Sequence, residues 1–356
     1  NVGVIGTGSS AIQSSPIIAK QANSLTIFQR TPNYSIPAYN EALDPDYVKE
    51  LKSRYKEYRA ENWQRGFGAD FDDSDQSAFE VSDDERRTEY EKRWAKGGLA
   101  FLAVYNDLVF DMKANDTARE FFKEKIAERV NDPELAEKLV PVTPIGCKRL
   151  CVDSDYYEIY NQDHVKLVDL KQTPITEIRG DTVVTSGGEY KVDAIILATG
   201  FDAMTGAITN VDIQGEGGKK LQDKWAPGPK AYLGLATAGF PNLFIVTGPG
   251  SPSVLSNMLP SIEQHVEWIS DCIEYMNDNQ HVAIRVDQQA EEDWVSHVNE
   301  VAQTSVYPGC NSWYMGANVE GKTRVFMPYL GVPPYVEKCE QVVAAGYEGF
   351  VLSGNG

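Results

Sequence analysis

An α/β fold is expected from three features of the sequence. The chain opens with an apolar run, a glycine turn, an amphipathic stretch and a second apolar run; short β-type runs return after about residue 141; a polar stretch with helical patterning separates the two. The opening elements are Val2 to Ile5, the turn Gly6-Thr7-Gly8-Ser9-Ser10-Ala11, a helix to about Ala22, and the strand Leu25-Thr26-Ile27-Phe28. Pro32 and Pro37 then break the chain. Residues 39–140, rich in Asp, Glu, Lys, Arg, Tyr and Trp, are too long for an ordinary connection and are expected to form a helical insertion.

After the insertion, His164 to Val168, Thr176 to Ile178 and Thr182 to Val184, with a turn at Gly187-Gly188, read as a small meander, and Ala194 to Leu197 as a buried strand. Leu243 to Val246 leads into Gly248-Pro249-Gly250 as a second strand-to-glycine passage. Ile262, Val266, Ile269, Ile273 and Met276 mark the buried stripe of a helix lying on a sheet. Further helices are expected near Glu291 to Ala302 and Val336 to Ala345. The predicted organisation is one domain from residues 1–38 and 141–198, the insertion 39–140, and a second domain from 199–356.

The 356 residues carry a net charge of -19, with no run of Lys and Arg that could neutralise nucleic-acid phosphates or anionic lipid. Neither nucleic acid nor a membrane is therefore an expected partner. No apolar run is long enough to cross a bilayer and no signal peptide precedes the first strand, so a cytoplasmic protein is expected. The five cysteines are scattered and never form Cys-x-x-Cys, so reduced, mostly buried thiols are expected in place of a disulfide framework or a zinc cage, and the four histidines lack the spacing of a ligand set, so no metal is expected. The chain starts at Asn1 inside a predicted parallel strand, which leads us to expect further sequence upstream.

Gly6, Gly8 and Ala11 fit the nucleotide-binding βαβ template. The first glycine permits the turn, the second lets the backbone approach a pyrophosphate, and the third position must be small where helix meets strand. The first domain is therefore expected to be Rossmann-like, with phosphates at the helix N-terminus near Thr7, Ser9, Ser10 and Ala11. At the end of the second strand, FAD and NAD sites place a carboxylate for the ribose hydroxyls. This chain has Gln29-Arg30-Thr31, and a guanidinium binds a 2′-phosphate that a carboxylate would repel. The expected ligand is NADP.

Several segments in order resemble the class B flavin monooxygenases of Baeyer–Villiger type. They are Gly3 to Ser10, Phe28 to Pro32, Gly146-Cys147-Lys148-Arg149, Leu197 to Asp202, Thr247 to Ser253, Ser256-Asn257-Met258, and Ser312-Trp313-Tyr314-Met315-Gly316-Ala317-Asn318. The resemblance implies an oxidoreductase using FAD and NADPH with O2 to convert a ketone to an ester or lactone. It implies NADP binding by Gly6, Thr7, Gly8, Ser9, Ser10, Ala11, Ile12 and Gln13 with Arg30, Thr31 and Lys148. Thr199 and Gly200 would sit near the cofactors at a domain junction, and Met258 beside the flavin. Ser253, Val254 and Leu255 would line the ketone pocket, Trp313 would lie on a mobile loop over NADP, and Arg149 would be the catalytic arginine that stabilises the flavin peroxide.

Residues 199–356 would then be the carboxy-terminal part of an FAD-binding domain. The FAD fingerprint, which lies upstream of the NADP motif in relatives, is absent from this sequence, so the chain alone is expected to be inactive. An N- or S-oxygenating flavin monooxygenase and a non-catalytic NADP-binding module are the alternatives. Substrate identity is not legible in the sequence.

Overall fold

The structure, a computed structural model, describes residues 1–71, 73–317, 321 and 323–354. The chain divides into two compact units, one made of Asn1–Ala42 and Asp72–Gly200, the other of Leu43–Phe71 and Phe201–Gly356.

The first unit contains β1 (Val2–Ile5), β2 (Leu25–Gln29), β3 (Ser35–Pro37), β4 (Cys151–Asp153), β5 (Val165–Asp169), β6 (Ile175–Arg179), β7 (Thr182–Thr185), β8 (Gly188–Lys191) and β9 (Ala194–Leu197). Its main sheet runs β5-β2-β1-β9 with every pairing parallel. The helix Ser9–Gln21 covers it with Ala11, Ile12, Ser15, Pro16 and Ala19, spaced to fall on one face. Ala11 and Ile12 are fully buried in the core with Val4, Leu25 and Ile27, so the small third position of the glycine template is also a packing position.

One expectation fails here. The run His164 to Val168 belongs to the parallel sheet, pairing with β2 from Leu25↔Val165 to Gln29↔Asp169, and not to the meander. The meander is formed by β6, β7 and β8, all antiparallel neighbours. Both strand types alternate similarly in sequence; only the distant partner distinguishes them.

The stretch 39–140 is helical but is not one body. Leu43–Phe71, with helices Pro45–Ser53 and Tyr55–Trp63, belongs to the second unit. There the Asn257 N–H donates to the Phe67 carbonyl at 2.7 Å and the Val332 N–H to the Gly66 carbonyl at 3.1 Å. The remainder, with helices Asp83–Lys96, Met112–Arg129 and Pro133–Leu139, folds into the first unit. A capping box between Ser82 and Glu85 starts the first of these helices, and Asp111 and Asp132 cap the other two. Tyr90, Trp94, Phe101, Phe121 and Phe122 form their aromatic core with Tyr34 and Ile36. The Gln29 amide donates to the Lys138 carbonyl at 2.7 Å, tying the end of β2 to this helical layer.

The second unit contains helices Met258–Asp278, Gln288–Gln303 and Val332–Ala344 and the antiparallel pair β10 (His281–Val286) and β11 (Phe350–Gly354). Glu291, 2% exposed, accepts from Lys224, Thr237 and the Ala238 N–H, so its charge is paired and its oxygens are satisfied. Two expectations need correction. Leu243 to Val246 is irregular backbone; the Ile245 N–H donates to the Leu235 carbonyl at 2.7 Å, but no ladder continues from it. The buried face of Met258–Asp278 is Ser261, Gln264, His265, Trp268, Cys272 and Met276, while Val266 and Ile273 of the expected stripe are exposed.

Candidate functional site

In a parallel sheet the carboxyl ends of the strands all point the same way, and ligands bind there. Gly6 follows β1, Arg30 follows β2, Lys171 lies just past β5, and Ala198-Thr199-Gly200 follow β9. The two glycines of the turn have different causes. Gly6 has φ 116°, and a Cβ there would stand 2.2 Å from the Ala198 carbonyl oxygen, so the fold itself demands glycine. A Cβ on Gly8 would meet nothing within 4 Å, so packing does not explain that glycine, and its open side leaves room for a ligand to touch the backbone.

Gly8 is the N-cap of the helix Ser9–Gln21, without a side-chain capping bond, and the first turn carries no acidic residue. That leaves the positive end of the helix open to an anion. Ser9, Ser10 and Gln13 are exposed beside it, and Gln13 donates to Ser9 Oγ at 3.3 Å. Thr7 is buried; its hydroxyl donates to the Thr31 carbonyl at 2.7 Å and joins the turn to the end of β2. Ile12 differs from its neighbours. Its side chain lies in the core and its N–H is bonded to the Gly8 carbonyl, so it serves the turn by packing.

Lys148 is half-buried near Arg30. Burial, then the positive charges of Arg30 and Lys171, holds its ammonium below the usual lysine range. Three cations thus gather at one end of the sheet. Lys171 went unnoticed in the sequence because its strand was assigned to the meander; in the parallel sheet it stands after β5 as Arg30 stands after β2. Arg149 is exposed next to Lys148, and the Cys151 thiol is pushed up to about 11 by burial, so it stays neutral. The expectation of reduced thiols holds for Cys151, Cys272 and Cys339 and fails for Cys147 and Cys310, which are disulfide-bonded. Thr199 and Gly200 are exposed at the end of β9, and Gly200 has φ 90°.

In the second unit Ser253, Val254 and Leu255 form a short 3-10 turn leading to Met258 at the start of its helix. Ser253 is buried with φ 45°, and Val254, Leu255 and Met258 are half-buried. The preceding loop is held closely. Gly250 donates to the Met327 carbonyl at 2.7 Å, Trp294 donates to the Gly250 carbonyl at 3.0 Å, and Ser251 Oγ donates to the Gly248 carbonyl at 2.7 Å. Trp313 sits on a separate 3-10 turn, Trp313–Met315, against the ring of Tyr314. Asn318, the end of that motif, lies outside the described residues.

His265, one of the four histidines without ligand spacing, supports this loop in the structure. The Thr247 N–H donates to Nδ1 at 2.8 Å, and Nε2 lies 2.7 Å from the Tyr335 hydroxyl, which donates to the Leu233 carbonyl at 2.6 Å. This directional order requires the neutral ring with hydrogen on Nε2. Burial pushes the His265 pKa down to about 4, against a smaller opposing effect of the Ile245 backbone. An unfolded chain binds this proton from pH ~6.5 downward and the folded chain only near 4, so stability is complete above ~6.5 and declines as the pH falls towards 4. Urea midpoints should fall across that interval. A His265→Gln variant showing the same decline would refute the assignment.

Among the described residues no group of His, Cys, Asp and Glu is arranged to hold a metal ion, and no helix is long and apolar enough to cross a membrane.

No family model matches the chain. It is 39% identical over 355 residues to phenazine N-monooxygenase PhzNO1 of Lysobacter antibioticus, covering 99% of this chain and 65% of that protein. It is 38% identical over 353 residues to cyclohexanone 1,2-monooxygenase of an Acinetobacter species, covering 98% and 64%. The chain thus spans a little under two thirds of these relatives. Among solved structures, an oxidized steroid monooxygenase bound to NADP superposes with a TM-score of 0.93 at 48% identity, over 99% of this chain and 67% of that one. With this order of motifs on this fold, the chain belongs to the Baeyer–Villiger family of flavin monooxygenases.

Proposed function

We propose that the protein is an NADPH- and FAD-dependent Baeyer–Villiger monooxygenase that converts a ketone, O2, NADPH and a proton to an ester or lactone, NADP and water. The observation that carries this reading is the cation group Arg30, Lys148 and Lys171 at the same sheet end as an uncapped helix N-terminus and a Gly8 open to solvent. This arrangement fits a dinucleotide with a pyrophosphate at Gly8 to Ala11 and a 2′-phosphate between Arg30 and Lys148, with Thr31 beside it. Thr199 and Gly200 would border the same cofactor.

NADPH would supply a hydride, and FAD the ring at which O2 is activated. The residues of this chain bind, orient and charge the site. Arg149 supplies a fixed positive charge where negative oxygen develops. Ser253, Val254 and Leu255 shape the ketone pocket, Met258 borders the flavin, and Trp313 covers NADP. In this reading the first unit is the NADP domain and the second belongs to the FAD domain. The left-handed backbone at Thr247 (φ 54°) and Ser253 (φ 45°) supports a binding role for that loop, since such strain concentrates at functional sites. The greater length of the relatives supports a further FAD-binding segment outside this chain, without which the chain would not turn over. A cytoplasmic location is part of this reading.

The test is product analysis with a cyclic ketone supplied beside a thioether, run on the complete enzyme with its FAD-binding segment. Lactone formation supports the proposal; sulfoxide with no lactone rejects it. A second reading, oxygenation of a ring nitrogen, is favoured by the similarity to phenazine N-monooxygenase. Transfer to nitrogen has less need of a fixed cation at the reacting oxygen, so Arg149 favours the ketone. N-oxide from phenazine with no lactone would reverse the choice.

Cofactor choice has its own test. Arg30→Ala should reduce the preference for NADP over NAD at least about tenfold in equilibrium binding, because a charge-assisted bond to phosphate is lost. The preference should also fall as rising pH discharges Lys148, and at lower pH than an ordinary lysine would require. A pH-independent preference up to the ordinary lysine range would contradict the placement of Lys148.

A further inference from the structure

Lys148 is held beside a like charge. Arg30 and Lys171 both repel it, and its ammonium is partly desolvated, so nothing in the charges themselves keeps it there before an anion arrives. Cys147, next to it in the chain, is disulfide-bonded, and the backbone before that cysteine is held from within the first unit. Asn115, fully buried in the helix Met112–Arg129, donates from Nδ2 to the Ile145 carbonyl at 3.0 Å and accepts the Ile145 N–H on Oδ1 at 2.9 Å. Its second amide hydrogen goes to the Leu108 carbonyl at 2.8 Å. One side chain thus binds both polar groups of Ile145, as a neighbouring strand would. The Tyr34 hydroxyl fixes the same segment two residues earlier, at the Thr143 carbonyl at 2.8 Å and, more weakly, the Pro141 carbonyl at 3.2 Å. The chain then turns at Gly146 (φ 87°) and delivers Lys148 and Arg149.

Asparagine is a poor residue for a helix interior, because its amide competes with the backbone; here it is buried with its donors and acceptor engaged. A need for helix stability alone would select an apolar side chain at this site. We propose that Asn115 is a positioning residue for Lys148: by clamping Ile145 it sets the cation against Arg30 as a preformed site for the 2′-phosphate of NADP. The helical layer of the first unit thereby takes part in cofactor selection. This inference rests on the NADP reading given above.

The experiment is a double-mutant cycle on the full chain, with Kd for NADP and for NAD measured by titration calorimetry in the parent, Asn115→Ala, Lys148→Ala and the double variant. Asn115→Ala should lower the preference for NADP about tenfold, with NAD affinity changed less than about twofold. Lys148→Ala should then remove about tenfold in the parent but less than about twofold in the Asn115→Ala background. A merely structural asparagine would lower the melting temperature with the preference intact, and additive effects of the two substitutions would likewise overturn the inference. If Asn115→Ala does not fold, Tyr34→Phe, which deletes one oxygen from the same clamp, should reduce the preference about threefold and be non-additive with Lys148→Ala; an unchanged preference overturns the inference. A parent that binds NAD and NADP equally would reject the NADP reading itself, whereas a discriminating parent with indifferent Asn115 and Tyr34 variants rejects the clamp alone.

Discussion

Replacing Arg149 by alanine should slow ester or lactone formation by about a hundredfold or more, while NADP affinity changes by less than about threefold. The oxygen that attacks a ketone carbonyl must carry negative charge, and so does the oxygen formed at the carbonyl as the bond closes. A guanidinium held beside these oxygens favours both, and its removal costs most where that charge is greatest. Lys148 is adjacent in sequence but is half-buried near Arg30, whereas Arg149 is exposed. The two neighbours should therefore separate by assay. Lys148→Ala should act on NADP binding, and Arg149→Ala on product formation with NADPH oxidation continuing. Arg149→Lys, which keeps charge but not the planar fork, should recover only part of the loss. The measurement is product yield per NADPH consumed by the complete enzyme. An alanine variant with a near-parental yield would end the catalytic assignment.

The second large effect concerns the paired glycines, for which the structure predicts opposite failures. Gly6→Ala would place a methyl group 2.2 Å from the Ala198 carbonyl oxygen at φ 116°, a contact and a backbone angle that alanine does not accept. The contact is with backbone immediately after β9, so the end of the sheet must move. A loss of about 3 kcal/mol or more is expected, seen as a large fall in melting temperature or failure to accumulate as folded protein. Gly8→Ala meets no protein atom within 4 Å. It should fold with a parental melting temperature and lose NADP affinity at least about tenfold, because the methyl occupies the approach to the phosphates. Equal melting temperatures for the two variants, or a Gly8→Ala variant with parental NADP affinity, would show that the distinction is wrong.

The parts of this site that the sequence reveals are those whose partners are near in the chain. Val2 to Ile5, the turn, the helix and Leu25 to Phe28 follow one another directly, so their periodicities and glycines identify the fold and mark the turn proposed to hold the phosphates. Arg30 is legible for the same reason. Lys171 is not, because whether Val165–Asp169 extends the parallel sheet depends on pairing with β2, far away in sequence. The buried face of Met258–Asp278 is misread for a different reason: His265, Ser261 and Gln264 are inside and Val266 and Ile273 outside. Hydrophobic periodicity cannot anticipate that a histidine is buried when both its ring nitrogens are satisfied. Leu243 to Val246 has strand-like composition but gains no ladder, and composition carries no information about available partners.

The division of residues 39–140 between the two units has a consequence for how such a protein can be recombined. Contiguous segments alternate between the units, with changes after Ala42, Phe71 and Gly200. A single crossover between genes of two relatives cannot exchange one unit whole. A breakpoint after Gly200 would pair Leu43–Phe71 of one parent with Phe201–Gly356 of the other, and bonds such as Asn257 to Phe67 and Val332 to Gly66 would then join residues of mixed parentage. Chimaeras that also exchange Leu43–Phe71 keep those pairs together, which makes this short segment the one to transfer with the carboxy-terminal half when pockets are shuffled among relatives.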